Sequence, residues 1–118
     1  MDDKTRRAVE RRIVKKAIET MIKAGYFVSV DDGKELVCRY TKDKNKVSAA
    51  MMSVAEERMY VAIPNITLKS GAKPFKRIGS FLFVYGSGFD IIADNSMCLK
   101  EHRAAIDVYV ENQRKIYG

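Results

Sequence analysis

Cys98 and His102 are the residues of this chain best spaced for covalent chemistry. Four positions apart on a helix, a thiol and an imidazole share one face, the geometry of a thiolate–imidazole dyad. Both also fall on an apolar stripe with Leu99, Ile106, Tyr109 and Val110, and no third group is evident to orient the ring. A packed core pair is therefore the simpler expectation. Metal sites need clusters of ligands, and His102 is the single histidine, so neither a metal nor a cofactor is expected. Gly86-Ser87-Gly88 lacks the third glycine and the βαβ setting of a dinucleotide fingerprint, and reads as a tight turn. Lys69-Ser70-Gly71-Ala72-Lys73 has neither the spacing nor the following helix of a phosphate loop. Asp31-Asp32 and Glu56-Glu57 read as turn and helix-end acids, not as carboxylates converging from different elements. The chain is expected not to be an enzyme. A cysteine-dependent enzyme built on Cys98 and His102 is the remote alternative.

The distribution of charge makes a stronger case for contact with a polyanion. The net charge is +7, and it is concentrated. Residues 1–25 hold eight Lys/Arg against four acids, and residues 64–80 hold Lys69, Lys73, Lys76 and Arg77 with no acid. Two basic patches on a near-neutral body suggest phosphate contacts, although cations that only maintain solubility give the same composition. The candidate contacts are Arg11, Arg12, Lys15 and Lys16 on the first helix and Lys69, Lys73, Lys76 and Arg77 on a loop. Phe75 sits among the loop cations, either to stack on a base or to fold back onto the sheet. No helix-turn-helix, zinc-finger or ribonucleoprotein motif accompanies them.

The elements that would carry these residues follow from periodicity. Val9, Ile13, Ala17 and Met21, with Val14, Ile18 and Ile22, form a broad stripe on a helix over residues 4–24, capped by Asp2 or Asp3 and stopped by Gly25. Asp31-Asp32-Gly33-Lys34 joins two strands in a hairpin, with Tyr26, Val28 and Val30 facing Leu36, Cys38 and Tyr40. Asp43 or Asn45 opens a second helix reaching about Ala55. Strands at Met59–Ile63 and around Phe81–Tyr85 follow, joined by the long basic connection Pro64 to Lys76. The second of these is apolar on both faces, as strands that are central or covered on both sides usually are, which places it mid-sheet. Residues 89–95 fit either a helical turn or an edge strand, and Ser96 caps a last helix to about Lys115. The expectation is one α+β domain over residues 1–118, in the order α-β-β-α-β-β-α, with a four-stranded antiparallel sheet and helices mainly on one face.

No apolar run is long enough to span a bilayer, no secretory leader is evident, and Cys38 and Cys98 read as free thiols; a cytoplasmic protein is expected. Two stretches are distinctive: Ala24-Gly25-Tyr26 with Ser29-Val30-Asp31-Asp32-Gly33, and Phe83-Val84-Tyr85-Gly86-Ser87-Gly88-Phe89-Asp90. On them the chain resembles, over roughly residues 18–112, a family of small uncharacterised bacteriophage, prophage and plasmid proteins. The resemblance implies a mobile-element accessory protein in a bacterial cytoplasm and brings no catalytic residues. Members of that family join the last two strands by a short turn, whereas this chain inserts the basic connection there. Function is then expected to be binding, to nucleic acid or a nucleoprotein complex, through the first helix and the basic connection. The alternative is an inhibitor that docks its cations on an acidic host protein.

Overall fold

The structure is a computed structural model, and it describes residues 1–66, 71 and 73–118. The first helix, α1 (Asp3–Lys23), begins where the Asp2 carboxylate accepts from the Thr5 amide at 2.7 Å. It ends where Gly25 takes φ +97°, a conformation that costs other residues a steric penalty. Its stripe from Val9 to Met21 is buried throughout, and Ile22 is half-buried.

The strands β1 (Phe27–Asp31), β2 (Leu36–Thr41), β3 (Glu56–Pro64), β4 (Phe75–Val84) and β5 (Ile92–Asn95) form one antiparallel sheet in the order β2-β1-β3-β4-β5. The sheet therefore has five strands, not the expected four. Residues 89–95 resolve into both of the forms weighed for them: a 3-10 turn at Gly88–Asp90, then the edge strand β5. The run Phe81–Val84 has a hydrogen-bonded neighbour on each side, as expected of a mid-sheet strand. Its two faces differ. Phe81 and Phe83 are fully buried beneath the helices, while Leu82 is half-buried and Val84 exposed.

The helices α1, α2 (Lys44–Ala50) and α3 (Lys100–Tyr117) share one core with the sheet. Val28, Val30, Met59, Val61, Phe81 and Phe83 form its floor, and Val47, Ile106 and Val110 join the α1 stripe above. The helix α3 runs antiparallel to α1. His102 meets Tyr26 edge-on, Lys16 lies over the Tyr109 ring, and Arg12 lies over Tyr117. No helix among the described residues is long and apolar enough to cross a membrane.

Three local expectations are corrected. The helix α2 ends at Ala50 rather than near Ala55, because the Met52 and Ser53 amides turn to the Glu57 carboxylate. Glu57 is therefore not a helix-end acid: it lies inside β3, paired with Phe83 and 1% exposed. Ser96 starts a 3-10 turn at Met97–Leu99 instead of capping the last helix, and its hydroxyl accepts from the Ser80 amide at 2.9 Å. In the first hairpin, Val28 pairs with Thr41 and Val30 with Cys38, so an extra residue lies on β2 between them. A shift of one residue reverses facing. Tyr40 consequently leaves the core face, and a second shift sets Leu36 opposite Asp31.

The N-terminal part of α1 is fastened to the far end of β4 by one carboxylate. Glu10, 1% exposed, accepts from the Gly86 amide at 2.9 Å and the Gly88 amide at 2.8 Å, and Arg6 donates to it at 3.0 Å. Both glycines have positive φ (+108° and +76°), which turns successive amides toward one acceptor. Glu10→Ala leaves those amides without their acceptor. A loss of about 2–4 kcal/mol in unfolding free energy is expected, with a smaller loss for Glu10→Gln, measured by urea denaturation.

Candidate nucleic-acid interface

With the helices on one side, the other face of the sheet is lined, among the described residues, mainly by strand side chains. Alternation assigns Phe27, Ser29 and Asp31 of β1 and Glu56, Arg58, Tyr60 and Ala62 of β3 to this face, opposite Val28, Val30, Met59 and Val61. On β4, Ala62 pairs with Arg77 and Tyr60 with Ser80; Ile78, the extra residue between them, marks a bulge. That bulge and the irregularity in β2 bring Arg77, Phe75 and Tyr40 together on the helix-free face.

These side chains form a layer of their own. The Phe75 ring lies 4.8 Å from Phe27 and 5.2 Å from Tyr40, centre to centre, within the range of favourable ring contacts. The Arg77 guanidinium sits 3.4 Å over the Tyr60 ring, and its Nε donates to the Tyr40 hydroxyl at 2.8 Å. Lys42 Nζ lies 4.8 Å over Phe27. Arg58 donates to Ser80 Oγ at 3.1 Å. Charge along this face is polarised. Asp31, Asp32, Glu56 and Asp94, with Arg58 among them, occupy the end near the first hairpin turn, while Lys42, Lys73 and Arg77 gather where β3 and β4 join.

Among the described residues, the α1 cations and Arg77 lie on opposite sides of the sheet. Arg11 and Lys15 are exposed on the helix layer, and Arg12 and Lys16 rest on Tyr117 and Tyr109 of α3. Arg77 and Phe75 are on the helix-free face and Lys73 is exposed beside them, while Lys76, between them on the strand, is exposed and alternates to the other face. Lys69 lies outside the described residues. Of the two fates weighed for Phe75, the ring has folded back onto the sheet and is half-buried. Tyr40, Tyr60, Lys42 and Phe27 were not among the residues singled out from sequence. Aromatic residues alternating along strands are an available signal, but the face they occupy depends on bulges that alternation alone does not reveal.

The other chemistry-bearing residues are engaged structurally. Cys98 and His102 form no dyad: the exposed Cys98 thiol donates to the Ile78 carbonyl at 3.0 Å, while His102 packs on Tyr26. Cys98 is thus not a core residue either; with Ser96 and Leu99 it closes over Gly79, where an added Cβ would meet all three at 3.0–3.1 Å. Burial pushes the Cys38 thiol up, away from thiolate. A cleft of about 350 Å³ lies between Arg6, Arg7, Glu10, Ser53 and Tyr85. Its Tyr85 hydroxyl donates to buried Glu57 at 2.6 Å, and burial, followed by that carboxylate, pushes the phenol well above its ordinary range. Glu57 also accepts from Met52, Ser53 N and Ser53 Oγ, so both carboxylates near this cleft are fully used in holding loops. Among the described residues no group of three or more His, Cys, Asp or Glu is placed to hold a metal ion.

The chain matches no protein-family model, no curated protein and no solved structure.

Phe75 ties β4 to β1 and β2 through its ring contacts. Phe75→Ala is expected to cost about 1–3 kcal/mol, read from a thermal or urea transition, whereas Cys98→Ser should stay within about 0.5 kcal/mol of wild type.

Proposed function

We propose that this protein is a non-enzymatic binding module for single-stranded nucleic acid, using the helix-free face of its sheet. The observation that carries the reading is the Arg77 layer: a guanidinium stacked on Tyr60 and bonded to Tyr40, beside the Phe27–Phe75 ring pair. Aromatic rings presented by strands offer stacking surfaces for unpaired bases, and neighbouring cations track the phosphates. A duplex keeps its bases stacked on one another, so such rings give it little. The acidic end of the face repels a phosphate backbone, which confines contact to Lys42, Lys73 and Arg77. Arg11 and Lys15, on the other side of the molecule, take no part in this surface. A mobile-element setting, which the resemblance implies, fits a small accessory protein of this kind.

The test is binding of labelled single-stranded DNA, RNA and duplex DNA at two salt concentrations. Three phosphate contacts predict a log–log salt slope of about −2 for single strands, or roughly 20-fold weaker binding at 200 than at 50 mM. A Lys73/Lys76/Arg77→Glu variant is expected to lose binding, while an Arg11/Lys15→Glu variant keeps it. Absence of binding to any nucleic acid at the lower salt overturns the reading and leaves docking on an acidic protein as its replacement.

A further inference from the structure

Ser29 is fully buried on the face of the sheet that, among the described residues, no helix covers. Val28 and Val30 on either side of it point into the helix core, so its side chain projects to the opposite face. Among the described residues its hydroxyl has no hydrogen-bond partner. A buried hydroxyl in that condition has lost its water and gained nothing in return, which is uncommon enough to need a reason.

The cover over Ser29 is the Arg77 side chain and the rings it joins. Arg77 starts on β4, lies on Tyr60 of β3, and ends at the Tyr40 hydroxyl of β2. The strand order β2-β1-β3-β4 requires any line from Tyr60 to Tyr40 to cross β1, and the β1 residue paired with Tyr60 is Ser29. The guanidinium and the two phenols therefore form a strap across four strands, above an unpartnered hydroxyl. Two features of the strap are those of a stand-in. Its planar group lies at 3.4 Å over Tyr60, the separation that a stacked base would take. Its hydrogen bond to Tyr40 goes to a neutral phenol, a weaker partner for a guanidinium than a phosphate.

We infer that the Tyr60 face under Arg77 is a nucleobase subsite, occupied in the free protein by the Arg77 guanidinium. On binding, a base replaces the guanidinium on the Tyr60 ring and Arg77 turns to the adjacent phosphate. The Ser29 hydroxyl then gains a partner on the base edge. The inference rests on the single-stranded nucleic-acid reading and deepens it: Tyr40 holds the subsite shut, and Ser29 is its floor.

The consequence has opposite signs at two conservative positions. Tyr40→Phe keeps the ring but removes the hydrogen bond that closes the strap, so a labelled oligothymidylate at about 50 mM salt should bind about 3- to 10-fold tighter than to wild type. Ser29→Ala should bind it about 3- to 10-fold more weakly, with a thermal midpoint at or above that of wild type, since the hydroxyl has no partner to lose in the free protein. A purely structural strap predicts the reverse at Tyr40, or no effect on affinity at either position. Wild-type binding with either variant departing from its sign overturns the subsite alone. Failure of the wild type to bind overturns the nucleic-acid reading, and the subsite with it.

Discussion

All three helices pack on one face of a five-stranded sheet, and every other feature of the molecule answers to that asymmetry. One face is kept dry by helices. The other must exclude water from Ala62 and Ser29, both fully buried, mainly with side chains that rise from the strands among the described residues. Small residues at the centre, ringed by Phe27, Tyr40, Tyr60 and Phe75, meet that need, because large rings on neighbouring strands can lean over a gap that short side chains leave. A face built in this way is apolar in its depth and charged at its rim, cationic at one end and acidic at the other. It is a solvent-facing surface with the composition of an interface core, Tyr, Phe and Arg.

The same asymmetry separates the roles of the chain's many cations. Those on α1 either stand free on the helix layer or cover the tyrosines of α3, as Arg12 and Lys16 do. Lying along aromatic faces, their stems shield apolar surface while the charge stays in water. Arg6, which looks misplaced at the positive end of the helix dipole, is matched by buried Glu10 and by Asp3. Arg77 differs from all of these. It sits at a bulge, and its guanidinium spans two strands of a sheet that has no helix above it.

What could be read from the sequence was whatever depended on neighbours along the chain. The α1 stripe, the Asp-Gly hairpin, the Gly25 stop and the apolar run at Phe81–Val84 are local patterns, and each has the form that those patterns predict. The parts that were not legible depend on distant partners. Tyr40 changes face because β2 carries an extra residue against β1, and no residue in β2 announces it. Glu57 looks like a helix-end acid until the amides of Met52 and Ser53 and the Tyr85 hydroxyl are seen to surround it. The strand β5 is short and only half apolar; it exists because β4 offers an edge to pair with. The candidate site combines both kinds of residue, which is why Phe75 and Arg77 could be singled out and Tyr40, Tyr60 and Ser29 could not.

The Glu10 carboxylate also constrains the order of events when the chain is made. Its amide partners, Gly86 and Gly88, leave the ribosome 76 and 78 residues after it. Until then α1 has its apolar stripe and a carboxylate that can be buried only at a cost. The Phe81 and Phe83 floor beneath it arrives equally late. The first helix is thus a segment that must wait in solution, its many positive charges keeping it soluble and apart from other nascent chains, until β4 and its glycine turn emerge to receive it.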